Sequence, residues 1–331
     1  MKSKIEELVE RYRSLGIDRQ LNYDKFYLYS IITHSTAIEG STITELENQI
    51  MFENGVTLKG KNLVEQNMNL DLKAAYDRTL EFAGKHLDVT VDRLKELSAI
   101  TMKNTGSEYH TALGIFSSAN GDLRLLNVTA GIGGKSYMNF NKVPSRLVQF
   151  CDDLNRQRKT ADSLNMQELY NMSFDAHFNL VTIHPWADGN GRMARLLMNW
   201  LQFEYGLIPS RIFADDKEEY IKALVETREA EDLEIFRRFM TETMQRHLAK
   251  DIAVFECSVG EVSDRTEALK TSDRIISLIK ENPAYSAKSI SDLIGISAKG
   301  VEKQLAKLKS QGVIRHVGPA KGGRWEIISD I

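Results

Sequence analysis

Apolar residues recur at three- and four-residue spacing along most of the chain. This predicts helices at about Ser3 to Leu15, Asp24 to Ile38, Thr44 to Glu53, Leu63 to Gly84 and Val91 to Thr101. Thr44 with Glu47 three residues on reads as a capping box at the start of the third. Between Gly106 and Pro144 the periodicity gives way to a Gly-rich stretch. There, β-favouring pieces at Leu123 to Thr129 and Ser136 to Phe140 flank Ala130-Gly131-Ile132-Gly133-Gly134-Lys135, which reads as a hairpin or flap. Helical spacing returns at Pro144, at Met166 and at Arg192, and the last run is stopped after about Tyr205 by Gly206 and Pro209.

From Thr271 the pattern shortens. Helices at Ser272 to Lys280, Ser289 to Ile294 and Ala298 to Ser310 precede strand-like pieces at Val313 to Val317 and Arg324 to Ile328, a winged helix-turn-helix order. Gly260 and a polar run interrupt the helical pattern between Lys250 and Thr271 and place a domain boundary there. The expected fold is mainly α: a helical region over residues 1–90, a helical core with a β-hairpin flap (about 123–138) over 91–250, and a linker plus winged helix over 251–331.

Composition narrows the functional classes. A chain of 331 residues, 42% hydrophobic and 27% charged, supports more than one core. No stretch approaches the ~18 uninterrupted apolar residues of a membrane helix. The charged start Met1-Lys2-Ser3-Lys4-Ile5-Glu6-Glu7 does not read as a secretory signal, so a cytoplasmic protein is expected. Cys151 and Cys257 have no partner at disulfide or zinc spacing. The net charge of -3 is uneven: residues 271–331 hold ten Lys/Arg and six Asp/Glu, leaving 33 and 40 for residues 1–270. A mildly basic tail follows an acidic body.

The densest chemistry lies in His184-Pro185-Trp186-Ala187-Asp188-Gly189-Asn190-Gly191-Arg192-Met193-Ala194-Arg195. Gly189-Asn190-Gly191 before a helix start offers backbone N–H groups to an anion. Arg192 and Arg195, three apart, share the helix face that reaches the same polyphosphate. Asp188 beside such a site suits a hard cation such as Mg²⁺, and His184 has the titration range of a general base.

This stretch resembles the active-site motif of Fic (Fido-fold) proteins, with Trp186 where the family usually has Phe. The likeness extends from Ser35 to about Met244. It implies AMP transfer from ATP to a Ser, Thr or Tyr hydroxyl of a protein, itself or another, with Mg²⁺. In that reading His184, Asn190 and Arg192 are catalytic, Gly189 to Gly191 form the anion hole, and Asn190 and Arg192 hold α- and β-phosphate oxygens. Arg195 binds the γ-phosphate and Asp188 the metal. Gly191 stands where a phosphotransferring branch has Lys, which favours nucleotidyl transfer. Tyr220 resembles an aromatic that lines the adenine pocket, and Leu123, Val128 and Tyr137 belong to a flap that docks the target. Ser117-Ser118 replaces an early arginine of that flap, and Arg124 appears later.

Ser35-Thr36-Ala37-Ile38-Glu39-Gly40 resembles the inhibitory motif of the subclass with an N-terminal inhibitory helix, here about residues 24–40. Glu39 would pair with Arg195 where the γ-phosphate sits, and Ser35 would orient the helix. The same glutamate can position water for removal of AMP, so a de-AMPylating hydrolase is an alternative. A homodimer is implied by the family. In the winged helix Val301, Leu305 and Leu308 point inward, while Lys299, Lys303, Gln304 and Lys307, with Lys321 and Arg324 on the wing, face outward. A DNA-binding regulator whose core senses nucleotide or modifies itself is the competing class, and a protein-docking role the other use of such a module.

Overall fold

The computed structural model describes residues 3–130, 135–294, 296–319 and 323–328, with the backbone alone over 259–270 and at Asp292. It forms two compact units, residues 1–252 and 253–331.

The first unit opens with α1 (Lys4–Ser14), capped reciprocally by Ser3 and Glu6, and α2 (Tyr23–Ile38). α3 (Glu45–Asn54) starts at the Thr44–Glu47 capping box, and α4 (Leu63–Gly84) and α5 (Val91–Thr101) follow. α6 (Val143–Arg158), α7 (Met166–Ile183), α8 (Asn190–Glu204) and α9 (Lys217–Ala230) complete it, together with the start of α10 (Leu233–Glu281). α8 is the axis of the core: Met193, Leu196, Leu197 and Trp200 are sealed against Leu72 and Tyr76 of α4, Leu97 of α5 and Leu180 of α7. A helix enclosed on all sides must also satisfy its polar side chains. Asn199 accepts from Tyr76 Oη at 2.7 Å, and Gln202 accepts from the Ser210 amide at 2.7 Å.

The Gly-rich stretch differs from expectation. Its regular ladder is the antiparallel pair β1 (Glu108–Thr111) and β2 (Gly114–Ser117), upstream of the pieces picked out by composition. Among the described residues the expected flap is paired around Thr129 and Ser136, with the Tyr137 amide donating to Val128 O at 3.0 Å and the Ala130 amide to Lys135 O at 3.2 Å. Its tip, 131–134, lies outside the described residues.

In the second unit the end of α10 packs with α11 (Ala287–Ile294), α12 (Ala298–Ser310), β3 (Ile314–Val317) and β4 (Arg324–Ile327) around Ile275, Ile290, Val301, Leu305 and Leu308. Gly260 does not interrupt α10; a single glycine costs a helix only ~1 kcal/mol. No described helix is long and apolar enough to cross a membrane.

Candidate active site

The site forms where α7 ends and α8 begins. His184 closes α7 in the left-handed region, at φ +53° and ψ +62°, its amide donating to Leu180 O at 3.0 Å. Trp186 drives the loop inward: its ring is fully buried and its indole N–H donates to Gly121 O at 3.2 Å. α8 starts at Asn190, two residues before the position expected from the sequence, with Gly189 as its N-cap. Asn and Gly are weak helix formers, so periodicity picks up the helix only at Arg192.

The early start changes the role of Asn190. Its amide donates to Trp186 O at 2.8 Å and accepts from the Trp186 amide at 3.1 Å, so the side chain clamps its own loop. Its backbone N–H and its second Nδ2 N–H remain to face an anion.

His184 is ordered by three neighbours. Nδ1 lies 3.2 Å from Val181 O, the geometry of an Nδ1–H donor, which leaves Nε2 as the free lone pair. Tyr137 of the flap stacks on the imidazole, centroids 3.8 Å apart and planes 20° from parallel, with the Arg228 guanidinium 5.2 Å from the Tyr137 ring centre. Burial pushes the imidazole pKa down to about 4, assisted by the charges of Arg124 and Arg228 and opposed by the Val181 hydrogen bond, so the ring is neutral at pH 7.

Arg124 joins flap to loop. Fully buried, it donates from Nε to His184 O at 2.7 Å, from Nη1 to Leu126 O at 2.7 Å and from Nη2 to Met138 O, while its amide donates to Pro185 O at 3.0 Å. It is the flap's anchor, which the sequence left unassigned. Leu123, expected to meet a target, instead packs against the core.

The two arginines of α8 diverge. Arg195, 3% exposed, donates from Nε to Ser35 Oγ at 2.8 Å, and from Nη2 to Ser35 O at 3.0 Å and Glu39 Oε1 at 2.6 Å. Burial works against the charge on both members of the Glu39–Arg195 pair, yet each outweighs it for the other: the carboxylate is held below its ordinary range and the guanidinium above. Arg192 is equally buried but undercommitted. Nη2 meets Met102 Sδ at 3.0 Å and lies 3.9 Å from Asp188 Oδ1, while Nε and Nη1 have no partner. Asp188 itself is 60% exposed and accepts the Gly189 amide at 2.6 Å.

Glu39 is aimed by its helix end. The Gly40 amide donates to Ala37 O at 3.0 Å and the Ser41 amide to Thr36 O at 3.1 Å, with Gly40 at φ +102°, a Schellman closure that turns the chain sharply after Glu39. Asn69 of α4 locks that end, accepting from Thr36 Oγ1 at 2.8 Å and donating to Ser41 Oγ at 3.1 Å. Gly191 admits the carboxylate: a Cβ there would stand 3.0 Å from Glu39 Oε1 and 3.1 Å from Arg195 Nη1.

Tyr220 does not line an open pocket. It is 2% exposed among Phe236, Phe239 and His177, its hydroxyl 2.9 Å from His177 Nε2. It pairs with His177, a fully buried residue that the sequence did not signal. In the second unit Lys299, Lys303 and Lys307 are exposed on α12. Gln304 is half-buried with Oε1 3.5 Å from Ser272 Oγ, so it does not join that face. Arg324 is paired with Glu326 at 3.2 Å, and Lys321 lies outside the described residues.

A Fic/DOC family model matches residues 88–202, and a winged helix-turn-helix DNA-binding model residues 270–315. Protein adenylyltransferase fic-1 of Caenorhabditis briggsae is 24% identical over 259 residues, which cover 77% of this chain and 47% of that protein. The chain spans about half the length of the curated relatives it matches. A Fic domain containing signaling protein from Bacteroides thetaiotaomicron superposes with a TM-score of 0.62 at 22% identity, over 77% of this chain and 97% of that one. A Fic family protein from Desulfovibrio desulfuricans does so at 0.56 and 18%, over 100% and 97%. At these identities the structural likeness is one of fold.

Proposed function

We propose that this chain, which carries a Fic/DOC domain and a winged helix-turn-helix, transfers AMP from ATP to a protein hydroxyl and is restrained by Glu39. The observation that carries the reading is the contrast between the two buried arginines: Arg192 keeps two unpartnered N–H groups beside the α8 N-terminus, while Arg195 is held by Glu39 at 2.6 Å. A buried cation with unmet donors at a helix N-terminus is made for phosphate oxygens.

Transfer needs a base, an anion cradle and alignment. The neutral His184 takes the proton from the target hydroxyl at Nε2 as oxygen attacks the α-phosphorus in line. The amides of Asn190 and Gly191, with Arg192, hold the negative charge that develops there. The exposed Asp188 fits Mg²⁺, which takes one or two carboxylates and completes its shell with phosphate oxygens and water. Bound there, the ion would neutralise phosphate charge. Glu39 occupies the Arg195 donors that a γ-phosphate would use, so triphosphate is misaligned until Glu39 withdraws.

Labelled ATP tests this in lysate, with mass spectrometry to locate AMP. Glu39→Gly is expected to raise incorporation by about tenfold or more, the equivalent of one charge-assisted hydrogen bond released, and His184→Ala to abolish it. Equal labelling of wild type and Glu39→Gly would remove the brake, and activity in His184→Ala would remove the base. The closeness of Glu39 to Gly191 also supports a second reading, in which Glu39 orients water to release AMP from a modified protein. Loss of label from an AMP-bearing substrate on adding wild type, but not Glu39→Gly, tests it. For the winged helix, three exposed lysines on α12 support DNA binding, which a salt-dependent gel shift checks.

A further inference from the structure

The helix that carries Glu39 is gripped on a face that the site itself does not use. Tyr27, Ser30 and His34 of α2 are three and four residues apart and so lie along one side. Beside them runs the segment between α8 and α9, which has no regular structure from Leu207 to Phe213. Tyr27 Oη donates to Pro209 O at 2.8 Å, Arg211 Nη1 donates to Ser30 Oγ at 3.1 Å, and the Phe213 ring stacks on the His34 imidazole, centroids 3.9 Å apart. Two residues of extended chain span about 6.6 Å, against about 4.5–6 Å for three or four of helix, so positions 209, 211 and 213 keep pace with 27, 30 and 34. The segment is a strap along α2.

α10 holds that strap through two residues four apart, His247 and Asp251. The His247 ring also stacks on Phe213 at 3.9 Å, and two rings that close and nearly parallel cannot share one face, so Phe213 is sandwiched between α2 and α10. Asp251 pairs with Arg211 Nη2 and is the one carboxylate within ion-pair distance of it among the described residues. The Arg211 side chain is 9% exposed, with its guanidinium 4.5 Å from the Tyr27 ring centre. A cation so buried keeps its place only while its counter-ion does. The grip reaches the restraint directly: His34 precedes Ser35, whose hydroxyl and carbonyl accept from Arg195, and Glu39 follows one turn later.

We propose that Arg211 and Phe213 are positioning residues of the restraint, fastening α2 to Asp251 and His247 of α10 and so setting how often Glu39 leaves Arg195. Neither needs to touch nucleotide or target. The control of labelling rests on Glu39 being the brake; the fastening of α2 does not.

Two measurements on the whole chain separate these. Amide hydrogen exchange followed by mass spectrometry reads the docking of α2 without reference to activity. Asp251→Asn, which removes the counter-ion, and Phe213→Leu, which removes the stack and leaves every charge in place, should each speed exchange over residues 27–39 about tenfold, the worth of one charge-assisted contact. Asp251→Glu, which keeps the charge, should restore slow exchange. Wild-type exchange in the variants overturns the strap, and should Asp251→Asn fail to fold, Phe213→Leu alone decides. Labelling with ATP then reads the control. Each variant should raise it several-fold in the otherwise unchanged chain and leave it within twofold in a Glu39→Gly background, because a restraint already removed cannot be loosened. A merely structural role would lower labelling in both backgrounds, and that result, or an equal rise in both, overturns the action through Glu39. Failure of Glu39→Gly to raise labelling would sink the brake alone and leave the exchange rates to decide the strap.

Discussion

In the proposed reaction His184 serves as the base because its surroundings refuse it a proton. The Tyr137 stack supplies part of that burial, so Tyr137→Ala should move the imidazole from about 4 back toward 6.5. The acid limb of the labelling rate, measured in a Glu39→Gly background, should rise by about one pH unit or more, whereas Tyr137→Phe keeps the limb in place. An unmoved limb in Tyr137→Ala would show that the ring does not set the titration. The motif residues were legible because they are local: His184 to Arg195 span twelve positions, and a turn with two arginines is visible in the text of the chain. Tyr220 was not, since an aromatic at helical spacing looks the same whether it faces a pocket or a core. The second task of Asn190 was not legible, because sequence gives its chemistry but not that its amide also clamps Trp186.

At the level of elements, the flap and the His184 loop are one assembly held by Arg124. Arg124→Ala would strand the carbonyls of His184, Leu126 and Met138, at ~1–3 kcal/mol for each buried group left unmade. It would also free His184 to drift, and a misplacement near 1 Å costs about 10²-fold in rate. Urea unfolding should show the loss of stability, and single-turnover labelling the loss of rate. Full activity in a destabilised variant would restrict Arg124 to scaffolding. The start of α3 was readable because its cap is written into the sequence, as Thr44 with Glu47. The four-residue strands β1 and β2 were missed because so short a ladder carries too little alternation. The Arg124 anchor joins residues 60 positions apart at His184, and no local pattern reports such a pairing.

On the scale of the whole molecule, stability should depend on pH through buried imidazoles. His177 is pushed down to about 3 and His184 to about 4, both by burial, from an ordinary 6.5. Between about 4 and 6.5 the unfolded chain takes up protons that the folded chain refuses, so stability falls as pH drops through that window and is level above it. Urea midpoints at pH 5 and pH 7.5 should differ accordingly, and the shift should shrink in His177→Phe. The chain forms two units, with the Fic/DOC match in the first and the winged helix-turn-helix match in the second, whereas the sequence suggested a further boundary near residue 90, and α10 runs through the break expected at Gly260, which is too weak to end it. The left-handed backbone of His184 carries one more consequence. A residue with a Cβ there is strained by ~1–2 kcal/mol, a conformation in which asparagine is more at ease. His184→Asn should therefore resist urea better than the active chain, and a lower midpoint would show that the Tyr137 stack outweighs the backbone. A copy that has lost the proposed chemistry would then be the more durable one.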